Sequence, residues 1–248
     1  MYNPFSLENK TILVTGASSG IGRVIAIECS KMGATVILTA RNEARLQETL
    51  SQMQDNNHSI VVADFNNQEE ISLLVEKNPV LDGVVHCAGV LKTLPFQFTN
   101  ADAMTEIISV NLIAPTLLSA QLVKKKKLAK NASIVFISST SGIACVTAGN
   151  SIYSASKAAI NGMMKNMALD LAPKGIRVNS VNPAMVETPA SGADAISAEQ
   201  LEEDKKRYPL KRYGKPNEVA YAAIYLLSDA SQWTTGTGII MDGGYTLL

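Results

Sequence analysis

The sequence predicts an α/β fold in which parallel strands alternate with helices on both faces of a doubly wound sheet. Short runs rich in β-branched residues recur along the 248 residues, separated by stretches with apolar side chains at helical spacing. A composition of 46% hydrophobic and 18% charged residues provides apolar material for a large core. Because the sequence has no linker-like stretch or internal repeat, we expect a single domain over residues 1–248.

Seven β-rich runs are expected to form the strands of this sheet, at residues 10–15, 35–39, 58–63, 82–86, 133–138, 176–181 and 237–241. The helical patterns between them cover residues 24–32, 43–53, 68–76, 101–127, 153–171 and 217–228. Pro115 lies inside the fourth of these patterns, so we expect a kink there.

A glycine-rich turn joins the first strand to the first helix, with the sequence Gly16-Ala17-Ser18-Ser19-Gly20-Ile21-Gly22. Glycines permit positive φ angles and let a ligand approach the backbone, while the following helix N-terminus offers N–H groups to a pyrophosphate. The spacing G-x-x-x-G-x-G differs from the common dinucleotide fingerprint G-x-G-x-x-G. The turn therefore indicates a dinucleotide site, with a purely structural turn as the alternative.

The end of the second strand indicates which dinucleotide binds. Acidic residues near this point bind a ribose 2′-hydroxyl, whereas an arginine suits a 2′-phosphate. Residues 39–42 contain no Asp or Glu but include Arg41. We therefore expect NADP(H), with Arg41 and Ser18 near the phosphate, and NAD(H) as the second choice. The alternative is a surface ion pair between Arg41 and Glu43.

Tyr153 and Lys157 are the strongest candidates for chemistry. They are four residues apart in a helical pattern, so their side chains project from the same face of the helix. An ammonium close to a phenol stabilises the phenolate, and the phenol then becomes usable as an acid or base. The alternative, for this heptapeptide alone, is a helix with an ordinary tyrosine and lysine.

The remaining polar candidates lie at strand ends, where ligands bind in doubly wound sheets. Gly16, Asp64, Gly89 and the segment after Phe136 all follow predicted strands. The net charge of zero and a pI of about 6.7 give no field for nucleic acid or an anionic membrane. Three scattered cysteines and two histidines fit no metal site. Because the sequence shows no apolar run long enough to span a bilayer and no signal-peptide pattern, we expect a cytoplasmic protein.

Taken together, these motifs resemble the short-chain dehydrogenase/reductase family over nearly the whole chain. The family's glycine turn matches residues 15–22, its motif after the sixth strand matches Asn182-Pro183-Ala184, and its C-terminal signature matches Asp242-Gly243-Gly244. The resemblance implies a Rossmann-type doubly wound three-layer sandwich with a seven-stranded parallel sheet. It also implies the catalytic set Asn111, Ser139, Tyr153 and Lys157.

The resemblance assigns a role to each of these residues. Tyr153 would exchange a proton with a carbonyl oxygen as general acid or base, while Ser139 would hydrogen-bond that oxygen. Lys157 would assist Tyr153 and hold the nicotinamide ribose, Asn111 would support a water chain, and Val186 and Thr188 would contact the carboxamide. The implied cofactor-binding residues are Gly16, Ser18, Ser19, Gly20, Ile21, Gly22, Arg41, Asp64, Phe65, Cys87, Ala88, Gly89, Tyr153, Lys157, Pro183, Val186 and Thr188.

Three positions depart from the family pattern. His86-Cys87 replaces two asparagines, which would remove amide groups that brace the sheet, and Ala184 replaces a glycine. The gap from Ser139 to Tyr153 is one residue longer than in the family. We prefer Ser139 over Ser138 and Ser141 because Gly142 then follows three residues later.

Within the family, the chain most resembles 3-oxoacyl-[acyl-carrier-protein] reductases. Sugar, polyol and steroid dehydrogenases share these motifs, and a catalytically silent NADP-binding sensor is an alternative of another class. The substrate, a small carbonyl compound or an acyl thioester, would be selected by loops 91–98 and 184–208, with a lid at about 184–210. The family resemblance also implies a homotetramer. Candidate cations for an acyl-carrier partner are Lys205, Lys206, Arg207, Lys211 and Arg212.

Overall fold

The computed structural model describes residues 2–54, 57–188 and 197–247, and its centre is a seven-stranded parallel sheet. The strand order is β3-β2-β1-β4-β5-β6-β7, with every neighbouring pair parallel. The chain therefore has the predicted doubly wound fold, with the change of direction beside β1. The strands are β1 (Thr11–Thr15), β2 (Thr35–Thr39), β3 (Ser59–Ile60), β4 (Leu81–His86), β5 (Leu128–Ile137), β6 (Arg177–Pro183) and β7 (Gly238–Met241).

Eight α-helices form the outer layers in the described part of the chain. They are α1 (Gly20–Lys31), α2 (Glu43–Leu50), α3 (Gln68–Lys77), α4 (Ala101–Ile108), α5 (Ala114–Lys124), α6 (Ser151–Leu171), α7 (Ala198–Lys205) and α8 (Pro216–Leu227). Alternate residues of β1 point to opposite faces of the sheet. Ile12 and Val14 pack with α1 and α8, whereas Leu13 packs with α3 and α5. Two apolar cores thus lie on either side of the sheet, giving three layers.

Two strands differ in length from the sequence prediction. β3 keeps only Ser59 and Ile60 of the predicted run 58–63, because it is an edge strand that pairs with β2 alone. β5 starts at Leu128, five residues before the predicted start. Leu128 pairs with Leu81, and the register then shifts before Gly83 pairs with Ser133. An irregular pairing of this kind leaves no simple alternation in the sequence.

The predicted helix at 101–127 forms without a break from Ala101 to Lys124, but it contains a π-helical turn. α4 and α5 are joined by a π-helical turn at Ser109–Ile113, and Pro115 falls in the first turn of α5. A proline is tolerated in the first turn of an α-helix, because the N–H that it lacks is not needed there. By length and composition alone Ala101–Lys124 could cross a membrane, contrary to the sequence expectation. Because Leu118 and Leu122 are buried in the core, we interpret this stretch as a core helix.

Candidate active site

The glycine turn packs directly against the end of β4. Gly16 has φ +69°, and a Cβ atom there would lie 2.8 Å from the backbone N and Cα of Ala88. A Cβ on Gly22 would collide with the carbonyl oxygen of Gly16. Both positions therefore require glycine. At Gly16 the reasons are the positive φ and the nearby Ala88 backbone, and at Gly22 the reason is the close contact of α1 with the Gly16 carbonyl group.

Side chains that the sequence analysis did not identify hold the carbonyl groups of this turn. Thr49 Oγ1 donates to the carbonyl oxygen of Ala17 at 2.9 Å, and the Arg23 guanidinium donates to that of Ser18 at 2.7 Å. The N-cap residue of α1, Ser19, makes no side-chain capping bond. The first N–H groups of α1 are therefore not bonded by a capping side chain, which suits the binding of a pyrophosphate.

The segment after β4 is fixed beside the turn by Thr15. Its Oγ1 accepts hydrogen bonds from the backbone N–H groups of Cys87 (3.0 Å) and Ala88 (3.1 Å). A Cβ on Gly89 would lie 3.3 Å from Asn111 Oδ1 and 3.6 Å from Lys157 Nζ. The chain therefore passes from the predicted cofactor turn directly to the predicted catalytic groups.

The segment after β6 returns over the glycine turn. A Cβ on Gly20 would lie 3.7 Å from the Thr188 Cβ, and Val186 forms a backbone bridge with Gly214. The carbonyl oxygen of Pro183 accepts a hydrogen bond from the Thr140 N–H at 3.1 Å. The predicted carboxamide contacts therefore lie at the same crevice. Residues 189–196 of the predicted lid lie outside the described residues, and the lid stays a prediction.

The residues predicted to bind the adenosine half of the dinucleotide follow the ends of β2 and β3. Arg41 is exposed and forms no hydrogen bond or ion pair with Glu43 or with any other residue that the structure describes. The next residue, Asn42, caps α2 by accepting from the Arg45 N–H at 2.9 Å. Asp64 Oδ1 accepts from the Asn66 N–H at 2.9 Å, and Phe65 is buried beside it.

Tyr153 and Lys157 share one face of α6, as the spacing predicts. The Lys157 ammonium lies 5.6 Å from the centre of the Tyr153 ring. Lys157 is 7% exposed, and its Nζ donates to the carbonyl oxygen of Ile137 at 2.9 Å. In the described ranges it pairs with no carboxylate. An unneutralised positive charge in a poorly solvated position acts strongly on a nearby phenol or ribose hydroxyl.

The side chain of Asn111 makes three hydrogen bonds within the protein. Its Oδ1 accepts from the Val90 N–H at 2.8 Å, and its Nδ2 donates to Val90 O (3.0 Å) and to Ser156 Oγ (3.1 Å). Asn111 lies in the π-helical turn before α5, where the chain widens next to α6. The side chain therefore fixes the segment after β4, and the support of a water chain stays a prediction.

Three serines after β5 are distinguished by their partners. Ser138 donates to the Lys157 carbonyl oxygen at 3.1 Å, and Ser141 shares a 2.7 Å hydrogen bond with Ser154. Ser139 Oγ accepts from the Ser141 N–H at 3.0 Å, and its one acceptor among the described residues, Pro183 O, is distant at 3.5 Å. Of the three hydroxyls, that of Ser139 is the least engaged as a donor, which favours it as the group that meets a substrate oxygen.

His86 braces the sheet, in contrast to the expected loss of bracing. Its ring stacks on Phe136 of β5 at 4.7 Å, and its Nε2 lies 2.8 Å from Ser119 Oγ on α5. Burial lowers the pKa of His86 to about 3, so the ring is neutral. Burial also raises the pKa of the adjacent Cys87 thiol to about 12, against an opposing effect of Lys157. The thiol is therefore protonated at neutral pH.

Comparison with known proteins identifies the class. A family model described as enoyl-(acyl carrier protein) reductase matches residues 16–246. The chain belongs to the short-chain dehydrogenase/reductase family and is an oxidoreductase of that family, whose members bind NAD(P).

Individual relatives cover almost the whole chain. A 3-oxoacyl-[acyl-carrier-protein] reductase of Rickettsia prowazekii (strain Madrid E) is 36% identical over 243 residues, 98% of this chain and 99% of the relative. An L-xylulose reductase of Caenorhabditis elegans is 34% identical over 248 residues, 98% of each chain. The crystal structure of a candidate NAD(P)-dependent gluconate 5-dehydrogenase from Beutenbergia cavernae, with NADP bound at low occupancy, superposes with a TM-score of 0.90 at 29% identity, covering 99% and 100% of the two chains.

Proposed function

We propose that the protein interconverts a carbonyl and a secondary alcohol with NADP(H), and that its preferred substrate is a 3-oxoacyl thioester. The observation that carries this proposal is the Lys157 ammonium, which lies 5.6 Å from the Tyr153 ring and has no carboxylate partner among the described residues. Such a pair provides an acid at the point where hydride transfer to a carbonyl requires a proton.

The residues of the crevice fit a bound dinucleotide. The glycine turn at Gly16 packs against Ala88, and the first N–H groups of α1 carry no side-chain cap from Ser19, so they can meet a pyrophosphate. When bound, the nicotinamide supplies or accepts the hydride at the substrate carbon. Tyr153 donates its proton to the carbonyl oxygen in reduction and takes it back in oxidation. Ser139 hydrogen-bonds that oxygen and stabilises its developing charge, while Lys157 stabilises the phenolate.

Preference for NADP(H) over NAD(H) is supported by Arg41. Its guanidinium is exposed and unpaired within the described residues, and residues 39–42 carry no acid that would repel a phosphate. An arginine offers a planar set of donors that suits a phosphate dianion. The relative from Beutenbergia cavernae was solved with NADP.

The two loops beside the site support an apolar substrate. Loop 91–98 is joined to loop 139–150 by a 2.8 Å hydrogen bond from the Leu94 N–H to Gly149 O. The one charge in these loops, Lys92, is paired with Glu106 at 2.9 Å. A sugar or polyol would require several polar partners, whereas the large exposed side chains here are Leu91, Phe96, Phe98, Ile143 and Val146. These residues suit an acyl chain.

The basic residues at the end of α7 and just after it are a poor docking site for an acyl-carrier protein. Lys205, Lys206 and Arg207 form ion pairs of 2.6–2.9 Å with acids three residues earlier, and Arg212 pairs with Glu218 at 2.7 Å. Pairing of this kind leaves little net positive charge for a partner. We therefore propose a thioester substrate but do not assign these basic residues to the binding of an acyl-carrier protein.

We also propose that the protein is a cytoplasmic homotetramer. The fully exposed Trp233 and the exposed Leu169 and Ile240 support burial of an apolar surface between subunits. Light scattering coupled to size-exclusion chromatography would test the assembly, and a monomer of about 26.5 kDa would refute it.

The decisive experiment follows NADPH oxidation with a panel of 3-oxoacyl thioesters, 2-keto sugars, ketosteroids and an enoyl thioester. We expect the highest kcat/KM with a 3-oxoacyl thioester and no reduction of the enoyl compound. Tyr153→Phe should lower kcat about 10²–10⁴-fold while NADPH still binds. Near-normal turnover by this variant would remove Tyr153 from the mechanism. Tight NADPH binding without turnover of any compound would instead favour the sensor.

A further inference from the structure

A chain of buried polar side chains lies behind α6. Asn161 Nδ2 donates to Ser138 Oγ at 2.8 Å, and Ser180 Oγ donates to Asn161 Oδ1 at 2.8 Å. Asn182 Nδ2 in turn donates to Ser180 Oγ at 3.1 Å. All four side chains are buried. Burial of such groups is costly unless they are hydrogen-bonded, and a core-facing helix position is normally apolar.

Asn161 holds the turn of α6 that carries Lys157. Its Nδ2 also donates to the Lys157 carbonyl oxygen at 2.9 Å, which accepts a second hydrogen bond from Ser138 Oγ. At the other end of the same residue, Lys157 Nζ donates to the carbonyl oxygen of Ile137. The carbonyl group and the ammonium of Lys157 are thus both tied to residues 137–138 at the end of β5.

The same contacts connect this turn to the other strands of the site. Ser138 directly precedes Ser139, and Ser180 and Asn182 lie on β6 before Pro183. The cluster is tightly packed against β7, since a Cβ on Gly238 would lie 2.6 Å from Asn182 Nδ2 and 2.9 Å from Ser180 Oγ. One amide side chain therefore sets the position of α6 against the ends of β5 and β6.

We propose that Asn161 is a positioning residue for the reaction, because it fixes the Lys157 turn relative to Tyr153 and Ser139. This inference rests on the proposed function of those three residues. Without the amide, the Lys157 turn can move relative to the end of β5, and the ammonium is then held less well beside the phenol. Small displacements of this kind have large effects on rate.

The test compares Asn161→Leu and Asn161→Ala with Asn166→Leu. Asn166 is a matched control, since it lies on the same helix and donates in the same way to the carbonyl oxygen four residues earlier, at 3.1 Å from Gly162 O, but is exposed. Asn161→Ala removes the amide without adding a charge, and it decides the question if Asn161→Leu does not fold. The readouts are kcat and KM, with the best substrate of the panel.

Both Asn161 variants should lower kcat by about 10- to 100-fold with little change in KM, because the interaction matters most in the transition state. Asn166→Leu should match the wild type in both constants. A normal kcat in a folded Asn161 variant, or an equal loss in Asn166→Leu, would overturn the inference alone. Absence of wild-type turnover would overturn the proposed function and the inference with it.

Discussion

The neutral, buried His86 should make folding stability depend on pH in a defined direction. Burial lowers its pKa to about 3 in the folded protein, from 6.5 for the exposed group. Between these values the unfolded chain binds a proton that the folded protein excludes. The free energy of unfolding therefore falls as the pH falls below about 6.5, and the loss is complete at about pH 3.

The size of this effect follows from the pKa difference. Each pH unit in this interval corresponds to about 1.4 kcal/mol, so a change from pH 7 to pH 5 should remove about 2 kcal/mol. His86→Asn, which places the family's residue at this position, should lose this contribution. The measurement is urea-induced unfolding at pH 7 and pH 5 and at one protein concentration, so that contributions common to both proteins cancel.

The comparison of the wild type with His86→Asn isolates this contribution. His86→Asn should reduce the wild-type difference between pH 7 and pH 5 by about 2 kcal/mol. Equal pH dependence in wild type and His86→Asn would show that the folded protein accepts the proton at His86, and the argument from burial would be wrong.

Three further predictions concern the cofactor crevice and the charge in it. Arg41→Ala should weaken NADPH binding about tenfold, with little change for NADH, because a charged hydrogen bond to the 2′-phosphate is lost; equal losses in fluorescence titrations would exclude this contact. Gly16→Ala should destabilise the fold by about 2 kcal/mol or more in urea titrations, whereas Gly162→Ala, in open space on α6, should stabilise it by up to about 1 kcal/mol; similar effects of the two would refute the packing argument. Cys87→Asp should lower kcat about 10- to 100-fold relative to Cys87→Asn, because a carboxylate would neutralise Lys157; equal rates would show that this charge is dispensable.

The sequence predicts the topology of this protein well because its evidence is periodic. Strands buried on both faces, such as β1 and β4, appear as apolar runs, and the spacing of Tyr153 and Lys157 places them on one helix face whatever surrounds them. The first and last residues of a strand are predicted less well where its pairing with neighbouring strands is short or irregular. β3 is short because it has one neighbour, and β5 is long because Leu128 pairs before the register shifts.

Contacts between distant residues are what the sequence could not supply. The bracing role of His86 depends on Phe136 and Ser119, which lie on other elements. The ion pairs of Lys205 and Lys206 could have been anticipated, because their acids lie three residues earlier on the same helix. A signal for Asn161 also existed, as a polar residue on the core-facing side of an apolar helix, but its partners on β5 and β6 become visible only in the folded chain.

The buried ammonium of Lys157 is energetically the least favourable group in the candidate site, and the proposed chemistry depends on it. Among the described residues, the buried Lys157 ammonium hydrogen-bonds only to the carbonyl oxygen of Ile137, at 2.9 Å. This arrangement is costly, and a carboxylate partner would remove much of the cost. In the proposed mechanism, a carboxylate would also cancel the positive field that Lys157 supplies to Tyr153. The protein instead holds Lys157 by rigid neutral partners: the carbonyl group at the end of β5 for its ammonium, and Ser138 and Asn161 for its backbone. These neutral partners hold the Lys157 ammonium in place without cancelling its charge. For this reason, loss of the hydrogen-bond network behind α6 should lower the rate more than it weakens the binding of the substrate.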